Sequence, residues 1–465
     1  MPDLLSRVRK VEGAETDVVT DQLSREGVEI ISGTARFIEA KEGGSEIAAM
    51  VLRSTGGLHE AASSPYRHVD ADTPKSVISA DRFLVACGTR PVRPYHIPFD
   101  GEYIFDSDQL LWGGVKRIPR QAVDLIVVGA GVIGMEYACM INVVPGTTVT
   151  VVDPRPTVLG FADTHVIDNL QYTMRQNGAR FLLNEKISRV EKMEPTSNGG
   201  SPKVVAYLES GKRVVGDALL YTMGRQGNSD SLDVAKVGLK ADSRGLLEVN
   251  DFYQTSNPRV YACGDIIGYP ALASTSMEQG RRAAMHMWGR RPRLDDDETK
   301  ENAVTIDAST ESEHERVKPV TSDDGFMGRD SEQLFPYGIY TIPEVSMIGK
   351  TEAQLTAEGG NRSFSATQTI FQVGIADYQE LAKGQMLGGA DGFLKLIFDA
   401  KTLKLLGVHC IGDGATEIIH IGQVVMSQGG SIEYFETAVF NFPTLAEAYN
   451  VAAADGLRKV DHIGP

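Results

Sequence analysis

Apolar residues along this chain fall into short runs that predict β-strands, with segments of helical spacing between them. The clearest run extends from Val123 to Val128 and is mostly branched, which favours a buried strand. An Ala-rich helical segment follows, and a second apolar run, T-V-T-V-V-D, ends at Asp153. This order of strand, helix and strand predicts a βαβ unit.

Weaker patterns precede this unit. Residues 3 to 27 carry apolar side chains at helical spacing and predict an amphipathic helix. Residues 28 to 37 predict a strand pair, residues 43 to 70 a polar excursion, and residues 82 to 88 a buried strand that ends in a glycine turn. We therefore expect a domain here that lacks its first strand.

Composition and charge place the chain among ordinary globular proteins. Its 465 residues are 42% hydrophobic and 23% charged, which suits roughly two to four domains, each with its own core. The net charge of -16 argues against binding to nucleic acid or anionic lipid, because no local basic patch offsets the repulsion. No apolar run approaches the roughly 18 residues that a membrane span needs.

The four cysteines, Cys87, Cys139, Cys263 and Cys410, are far apart in the sequence. They form no C-x-x-C or other short pair, which excludes a metal knuckle and a redox pair that is local in sequence. We therefore expect no metal site and a reducing compartment.

The turn after the first strand of the βαβ unit has the spacing G-x-G-x-x-G. Gly129 permits the tight turn, Gly131 lets a pyrophosphate approach the backbone, and Gly134 allows the new helix to pack closely on the sheet. The phosphates would lie on free N–H groups at the positive end of that helix, where Val132 and Ile133 stand. The alternative is a βαβ unit that binds nothing.

Two charged residues follow the second strand. Asp153 lies at the distance from the glycines where a carboxylate accepts hydrogen bonds from an adenosine ribose. Such a carboxylate selects NAD and repels a 2'-phosphate, whereas a nearby arginine can pair with that phosphate. Arg155 stands two residues on, so the loop could present either group and accept both NAD(H) and NADP(H). The alternative is that Arg155 is an exposed loop cation.

Short motifs elsewhere carry a resemblance to a known family. A-C-G-T-R-P at residues 86 to 91 and Y-A-C-G-D-I at residues 261 to 266 each follow an apolar strand. They resemble the flavin-side signatures of the pyridine nucleotide-disulfide oxidoreductases. Y-I-F-D-S-D, Y-G-I-Y-T-I-P-E, E-I-I-H-I-G-Q and F-N-F-P-T-L-A-E-A-Y are similar to the subgroup of soluble pyridine nucleotide transhydrogenases, in that subgroup's order.

The resemblance implies an α/β fold: a Rossmann-like flavoprotein with two dinucleotide-binding domains and a C-terminal α+β dimerisation domain. Residues 1–118 and 253–290 would form the FAD-binding domain, and residues 119–252 the NAD(P)-binding domain. Residues 292–333, rich in Asp, Glu, Ser and Thr, would be an acidic, disordered insertion. Residues 334–465 would form the dimerisation domain.

The C-terminal pattern supports a homodimer. Two strands are predicted at residues 393 to 398 and 405 to 411, and a helix rich in Ile and Val at residues 416 to 428. The resemblance places these in the family's interface domain, and the apolar helix implies a two-fold dimer.

The resemblance also places residues near FAD. Gly88 and Asp265 fall in the two flavin-side signatures, where the Asp265 carboxylate can accept a hydrogen bond from a ribityl hydroxyl. A helix begins downstream, and its positive end would stabilise negative charge on the reduced flavin. Its residues in the predicted site are Ala271, Leu272, Ala273 and Ser274. The alternative for Asp265 is a simple turn or N-cap residue. On the nucleotide side, Glu136 matches the family position near the nicotinamide, and Gly224 a backbone contact under the cofactor.

One family feature is missing from the sequence. The family begins with a strand and its own G-x-G-x-x-G for the FAD pyrophosphate, whereas this chain has one such motif, the one for the nicotinamide nucleotide. We expect either a truncated gene model or a shortened protein, and weak binding of FAD by the chain as it stands. An organelle-targeting peptide could have been lost with that segment; otherwise the expected location is the cytoplasm.

The C-terminal motif separates two activities. Disulfide reductases of this family carry H-x-H-P-T, in which the second histidine shuttles protons for a dithiol. Here the segment is F-N-F-P-T, and Phe442 cannot move a proton. His409 and His420 do not restore the motif and are interpreted as structural, so no catalytic residue is assigned. The resemblance implies hydride transfer between NADPH and NAD+ through FAD. The alternatives are a disulfide reductase of the dihydrolipoyl dehydrogenase type and a non-catalytic nucleotide-binding fragment.

Overall fold

The computed structural model describes eight segments of the chain. They are residues 2–38, 47–52, 74–111, 123–195, 201–289, 334–359, 371–388 and 391–461. The predicted acidic insertion at residues 292–333 lies outside the described residues.

Helices and strands alternate through most of these segments. The helices are α1 (Pro2–Arg25), α2 (Ser107–Leu111), α3 (Val132–Asn142), α4 (Thr164–Gln176), α5 (Ala273–Met287), α6 (Glu352–Ala357), α7 (Ala382–Leu387), α8 (Ala415–Ser427), α9 (Glu433–Thr437) and α10 (Ala448–Asp461). The first ten strands are β1 (Thr34–Ile38), β2 (Ile47–Leu52), β3 (Pro74–Ala80), β4 (Phe83–Val85), β5 (Thr89–Pro91), β6 (Ile104–Asp106), β7 (Asp124–Val128), β8 (Thr148–Asp153), β9 (Arg180–Leu183) and β10 (Ile187–Met193). The others are β11 (Lys203–Leu208), β12 (Arg213–Gly216), β13 (Ala218–Tyr221), β14 (Arg225–Gly227), β15 (Val260–Ala262), β16 (Tyr337–Ile339), β17 (Val345–Gly349), β18 (Phe371–Asp377), β19 (Phe393–Asp399) and β20 (Leu405–Ile411).

A parallel five-stranded sheet carries the predicted βαβ unit. Its order is β6-β13-β7-β8-β9, and β7, α3 and β8 form where the apolar pattern predicts them. Strand β7 is central, so its side chains are covered on both faces, which explains the continuous apolar run. Strand β6 pairs with β13 in this sheet, upstream of the boundary expected at residues 118 and 119. Its buried Ile104 and Phe105 pack in the cores of this sheet.

A second unit surrounds the parallel pair β4 and β15. Its core joins Val85 and Tyr261 to Val237, Leu239 and Leu247. The latter three come from before residue 253, so part of the segment expected in the nucleotide domain packs here instead. The apolar pattern could not predict this. The polypeptide crosses between the two units at the antiparallel pair β5 and β14, well before residue 253.

The N-terminal region differs from its pattern in two ways. Helix α1 forms as predicted, but residues 28 to 37 do not make a strand pair. Only β1 forms there, and it pairs with β2, inside the expected polar excursion. Strand β3 completes this antiparallel sheet. The six apolar residues of Ile47–Leu52 form the strand that pairs with β1, and the pattern of residues 28 to 37 alone could not predict it.

The C-terminal unit is an antiparallel five-stranded sheet covered by helices. Its order is β16-β17-β20-β19-β18, and the predicted strands at residues 393 to 398 and 405 to 411 are its centre. Helices α8 and α10 pack on it around a core that contains Phe398, Ile419 and Tyr449. None of the helices in the described part of the chain is long and apolar enough to cross a membrane.

Candidate functional site

The glycine turn has the conformation that its sequence requires. Gly129 has φ +111°, which an L-residue rarely adopts, and a Cβ there would lie 2.7 Å from Thr222 Oγ1. A Cβ on Gly134 would overlap the carbonyl oxygen of Gly129, so α3 approaches the turn as closely as backbone atoms allow. A side chain at either position would therefore collide with the atoms of the turn.

The N-terminus of α3 is open to a ligand. Gly131 is its N-cap and makes no side-chain capping bond, and the nearest atom to a Cβ placed there is Arg155 Nη2 at 3.9 Å. Val132 and Ile133, the first two residues of the helix, are only partly buried. Free N–H groups at the end of an 11-residue helix suit an anion such as a diphosphate. This arrangement fits the nucleotide that the motif predicts.

Asp153 and Arg155 lie beside this turn and bind each other. The guanidinium Nε and Nη2 donate to the two carboxylate oxygens at 2.9 and 2.7 Å, and the Ala130 N–H donates to Oδ2 at 2.6 Å. Asp153 is fully buried, whereas half of the Arg155 side chain is exposed. Burial alone would raise the pKa of Asp153, but hydrogen bonds from Arg155 and Ala130 hold it below its ordinary value. The sequence placed both residues at the site but did not predict their ion pair.

Glu136 and Gly224 each hydrogen-bond to a segment outside the βαβ unit. Glu136 Oε1 accepts a hydrogen bond from the Tyr340 N–H at 2.9 Å, which joins α3 to the C-terminal unit. Burial raises the pKa of Glu136, and the bond from Tyr340 offsets part of that rise. Gly224 follows β13 with φ +93°, and its carbonyl accepts from the Val92 N–H.

The flavin-side residues meet around the start of α5. Gly88 follows β4 with φ +63° and open space above it, and Asp265 lies in a 3-10 turn after β15. Leu272 is the N-cap of α5 without a side-chain capping bond. Ala271, Ala273 and Ser274 are exposed, and Leu272 is partly buried.

Two polar groups here fit the ring and ribityl end of FAD. The Thr275 hydroxyl, in the first turn of α5, is buried and has no hydrogen-bond partner among the described residues. The uncapped helix end offers N–H donors and a positive potential to an anionic ring edge. The described residues contain one strand, glycine turn and helix of G-x-G-x-x-G spacing, and it belongs to the other unit. The fit to FAD is therefore to its ring and ribityl chain.

Sequence reasoning missed two residues of this site. Thr89 and Arg225 hydrogen-bond to each other, and Thr89 also contacts Asp265. Each stands directly after a predicted glycine, Gly88 and Gly224. Thr89 also lies within the A-C-G-T-R-P segment. Neither signal gave a reason to expect a contact across 136 positions.

The C-terminal motif lies on the surface. Phe442 is 73% exposed, and the following Thr444 and Glu447 form a capping box. His409 is fully buried in β20, while His420 is exposed on α8 and bonds Gln423. Within the described segments, no three His, Cys, Asp or Glu side chains could hold a metal ion.

Comparison with known proteins identifies the family. Residues 7–280 match the model of the pyridine nucleotide-disulphide oxidoreductases, and residues 335–453 match that family's dimerisation domain. Soluble pyridine nucleotide transhydrogenase of Mycobacterium bovis is 39% identical over 98% of this chain and 81% of that protein. The enzyme of the same name from Erwinia tasmaniensis is 36% identical, over 98% and 82%.

Solved structures agree in fold. LpdA from Mycobacterium tuberculosis superposes with a TM-score of 0.74 at 22% identity, over 97% of this chain and 83% of that one. The HOCl-induced flavoprotein disulfide reductase RclA from Escherichia coli gives 0.72 at 21% identity, over 97% and 85%. The two domain matches together span most of the sequence, with a break where the acidic segment lies. The chain therefore belongs to the pyridine nucleotide-disulphide oxidoreductase family.

Proposed function

We propose that this chain is an FAD-dependent NAD(P)+ transhydrogenase, which moves a hydride between NADPH and NAD+ through flavin. Relatives that are 36 to 39% identical over nearly the whole chain bear the name soluble pyridine nucleotide transhydrogenase. The side chain at position 442 decides between hydride transfer and thiol chemistry. Phe442 cannot shuttle the proton that dithiol exchange needs, whereas hydride transfer needs alignment and charge stabilisation.

The chain's own residues would bind and orient the nucleotide. The N–H groups after Gly131 would hold the diphosphate at the end of α3. Asp153 would accept hydrogen bonds from the ribose of NADH, and Arg155 would turn from Asp153 to the 2'-phosphate of NADPH. Glu136 and Gly224 would border the nicotinamide end.

The flavin would lie where the two units meet. FAD, when bound, supplies acceptance and return of the hydride. Asp265 would accept a hydrogen bond from a ribityl hydroxyl, and the start of α5 from Ala271 to Ser274 would stabilise negative charge on the ring. Gly88 would let the backbone approach the cofactor.

Assembly and location follow from the same relatives. The C-terminal unit corresponds to the family's dimerisation domain, which supports a homodimer. We infer a cytoplasmic location, because the relatives carry the word soluble in their names. We propose three functional domains. The nucleotide unit contains the parallel five-stranded sheet, the flavin unit surrounds β4 and β15, and the C-terminal unit contains the antiparallel five-stranded sheet.

Hydride transfer from NADPH to thio-NAD+, with FAD in excess, tests the proposal. We expect the absorbance of reduced thio-NAD+ to rise only when protein, FAD and both nucleotides are present. The same preparation should not oxidise NADH with lipoamide or glutathione disulfide. Disulfide reduction without transhydrogenation would favour the dihydrolipoyl dehydrogenase alternative, and nucleotide binding without either reaction would favour the non-catalytic fragment.

A further inference from the structure

Three side chains form a continuous chain of hydrogen bonds between the two cofactor sites. Arg225 Nε donates to Thr89 Oγ1 at 2.7 Å, and its Nη2 donates to the Thr89 carbonyl at 2.7 Å. Thr89 Oγ1 lies 3.2 Å from Asp265 Oδ2. Arg225 Nη1 reaches Asp108 at 3.4 Å, so the guanidinium is held on three sides.

The chemistry of these groups gives the chain a direction. A guanidinium can only donate, so the Thr89 hydroxyl must accept from Arg225. The single hydroxyl proton is then left to point at the Asp265 carboxylate, which can only accept when ionised. Asp265 Oδ2 is thereby occupied, while Oδ1 makes no hydrogen bond to any described residue. One carboxylate oxygen is fixed and the other is free to receive a ligand.

The hydrogen-bonded side chains lie where the polypeptide passes between the two units. Thr89 opens β5 and Arg225 opens β14, the antiparallel pair through which the polypeptide passes between the two units. Gly88 and Gly224 directly precede them. The side chains of Arg225 and Asp108 are 29% and 26% exposed, so this end of the hydrogen-bonded chain is accessible to solvent.

We propose that Thr89 and Arg225 are positioning residues that orient the Asp265 carboxylate toward the ribityl chain of a flavin. The proposal rests on the role of Asp265 in the function proposed above. Thr89 holds one oxygen directly, and Arg225 acts through Thr89 by fixing where its hydroxyl proton points. Without the hydroxyl, Asp265 keeps its charge but loses its orientation.

Flavin titrations on the 465-residue chain test this. Both FAD and FMN serve as probes, because they share the ring and ribityl chain that Asp265 would contact. Thr89→Val keeps the side-chain shape and removes the hydroxyl, so both dissociation constants should rise by the same factor, about tenfold for one charged hydrogen bond. Thr89→Ser restores the hydroxyl and should return both to within about twofold of the parent.

Two controls separate orientation from general damage. Thr356→Val makes the same change at an exposed position of α6 and should leave flavin affinity unchanged. NADH affinity should also be unchanged in Thr89→Val, because the glycine turn is in the other unit. A parallel loss of NADH affinity would make Thr89 a structural residue and overturn the proposal.

Combined variants test whether Arg225, Thr89 and Asp265 act in series. Thr89→Val should add no further loss to Asp265→Ala, and none to Arg225→Met, since each single change already interrupts the path. Independent, additive losses of flavin affinity would overturn the proposed chain of hydrogen bonds. So would a Thr89→Val protein with the parent's flavin affinity, or a parent chain that binds neither FAD nor FMN. If the variants change flavin affinity as expected but the protein transfers no hydride, the positioning role of Thr89 and Arg225 is supported and the proposed function is contradicted.

Discussion

Beside the glycine turn, Arg155 and Asp153 neutralise each other. The carboxylate receives the guanidinium and two backbone N–H groups, so it is fully engaged before any nucleotide arrives. In the proposed function, a 2'-phosphate would compete with this carboxylate for Arg155, whereas ribose hydroxyls would compete with Arg155 for the carboxylate. The pair therefore presents two alternative partners at one place, which is what dual nucleotide use requires.

Arg155→Ala should weaken NADPH binding by about one to two factors of ten, the size of a charged hydrogen bond at a partly solvated site. NADH should bind as before or slightly more tightly, because Asp153 is uncovered and NADH has no 2'-phosphate. Asp153→Asn should act in the opposite sense. Fluorescence titrations with both nucleotides measure this, and an equal loss for both would mean that Arg155 supports the fold or the shared diphosphate.

His409 makes stability depend on pH. Burial lowers its pKa from the ordinary value of 6.5, although the nearby Asp163 opposes that shift. The unfolded chain therefore binds a proton that the folded chain does not, and the free energy of unfolding falls as pH falls below about 6.5. The loss is at most about 1.4 kcal/mol per pH unit for one proton.

His409→Gln should flatten this dependence between about pH 6.5 and 5. The groups that face His409 are Asp163, Lys395, Glu352 and the Lys350 carbonyl. Asp163, whose pKa is lowered, contributes stability that is lost only below its ordinary value of 3.8, so it does not obscure the window. Urea denaturation at several pH values measures the slope, and an unchanged slope in the variant would assign the effect to another group.

At the scale of elements, one buried lysine ties three of them together. Lys395 of β19 is 2% exposed and contacts Asp163, the N-cap of α4, at 2.6 Å and Glu352 of α6 at 2.8 Å. The nucleotide unit is thereby fixed to the C-terminal unit at the end of the loop that begins with Asp153. Burying these charges is tolerated because each finds a partner.

Lys395→Met should lower the free energy of unfolding by about 3 to 5 kcal/mol, since the buried Asp163 and the partly exposed Glu352 lose their cation. Lys203→Met is the matched control: Lys203 pairs with Asp217 at 2.6 Å, but its side chain is 46% exposed. The control should cost less than about 1 kcal/mol. Denaturation midpoints compare the two, and similar losses would show that the buried cluster adds nothing beyond a surface pair.

Sequence patterns predicted elements better than their partners. The βαβ unit and strands β19 and β20 were predictable because their apolar runs decide local structure. The pairing of β6 with β13 and the contact from Lys395 to Asp163 were not, since each joins distant residues. The strand that pairs with β1 was missed because it lies within a segment that is polar as a whole. At the candidate site, the glycines and Asp153 were predictable from spacing, whereas Thr89 and Arg225 needed the folded chain to bring them together.

At the scale of the whole molecule, we expect a second copy to bind over the exposed apolar side chains of the C-terminal unit. The apolar helix α8 supplies less of it than its sequence predicts, because Ile419 and Val425 are buried in the unit's own core. Val424 is 61% exposed on the same helix, and Val439 and Phe442 are 97% and 73% exposed on the segment between α9 and α10. Such side chains are stabilised when a partner covers them.

Sedimentation velocity at micromolar concentration should therefore give a dimer for the unsubstituted chain. A double substitution, Val424→Glu with Val439→Glu, should shift it toward monomer, because it places charges where apolar contact is lost. Val215→Glu is the matched control: Val215 is 51% exposed on β12 in the nucleotide unit, and its substitution should leave the dimer intact. A monomeric parent would contradict the predicted dimer, and a double variant that stays dimeric would place the interface on another surface.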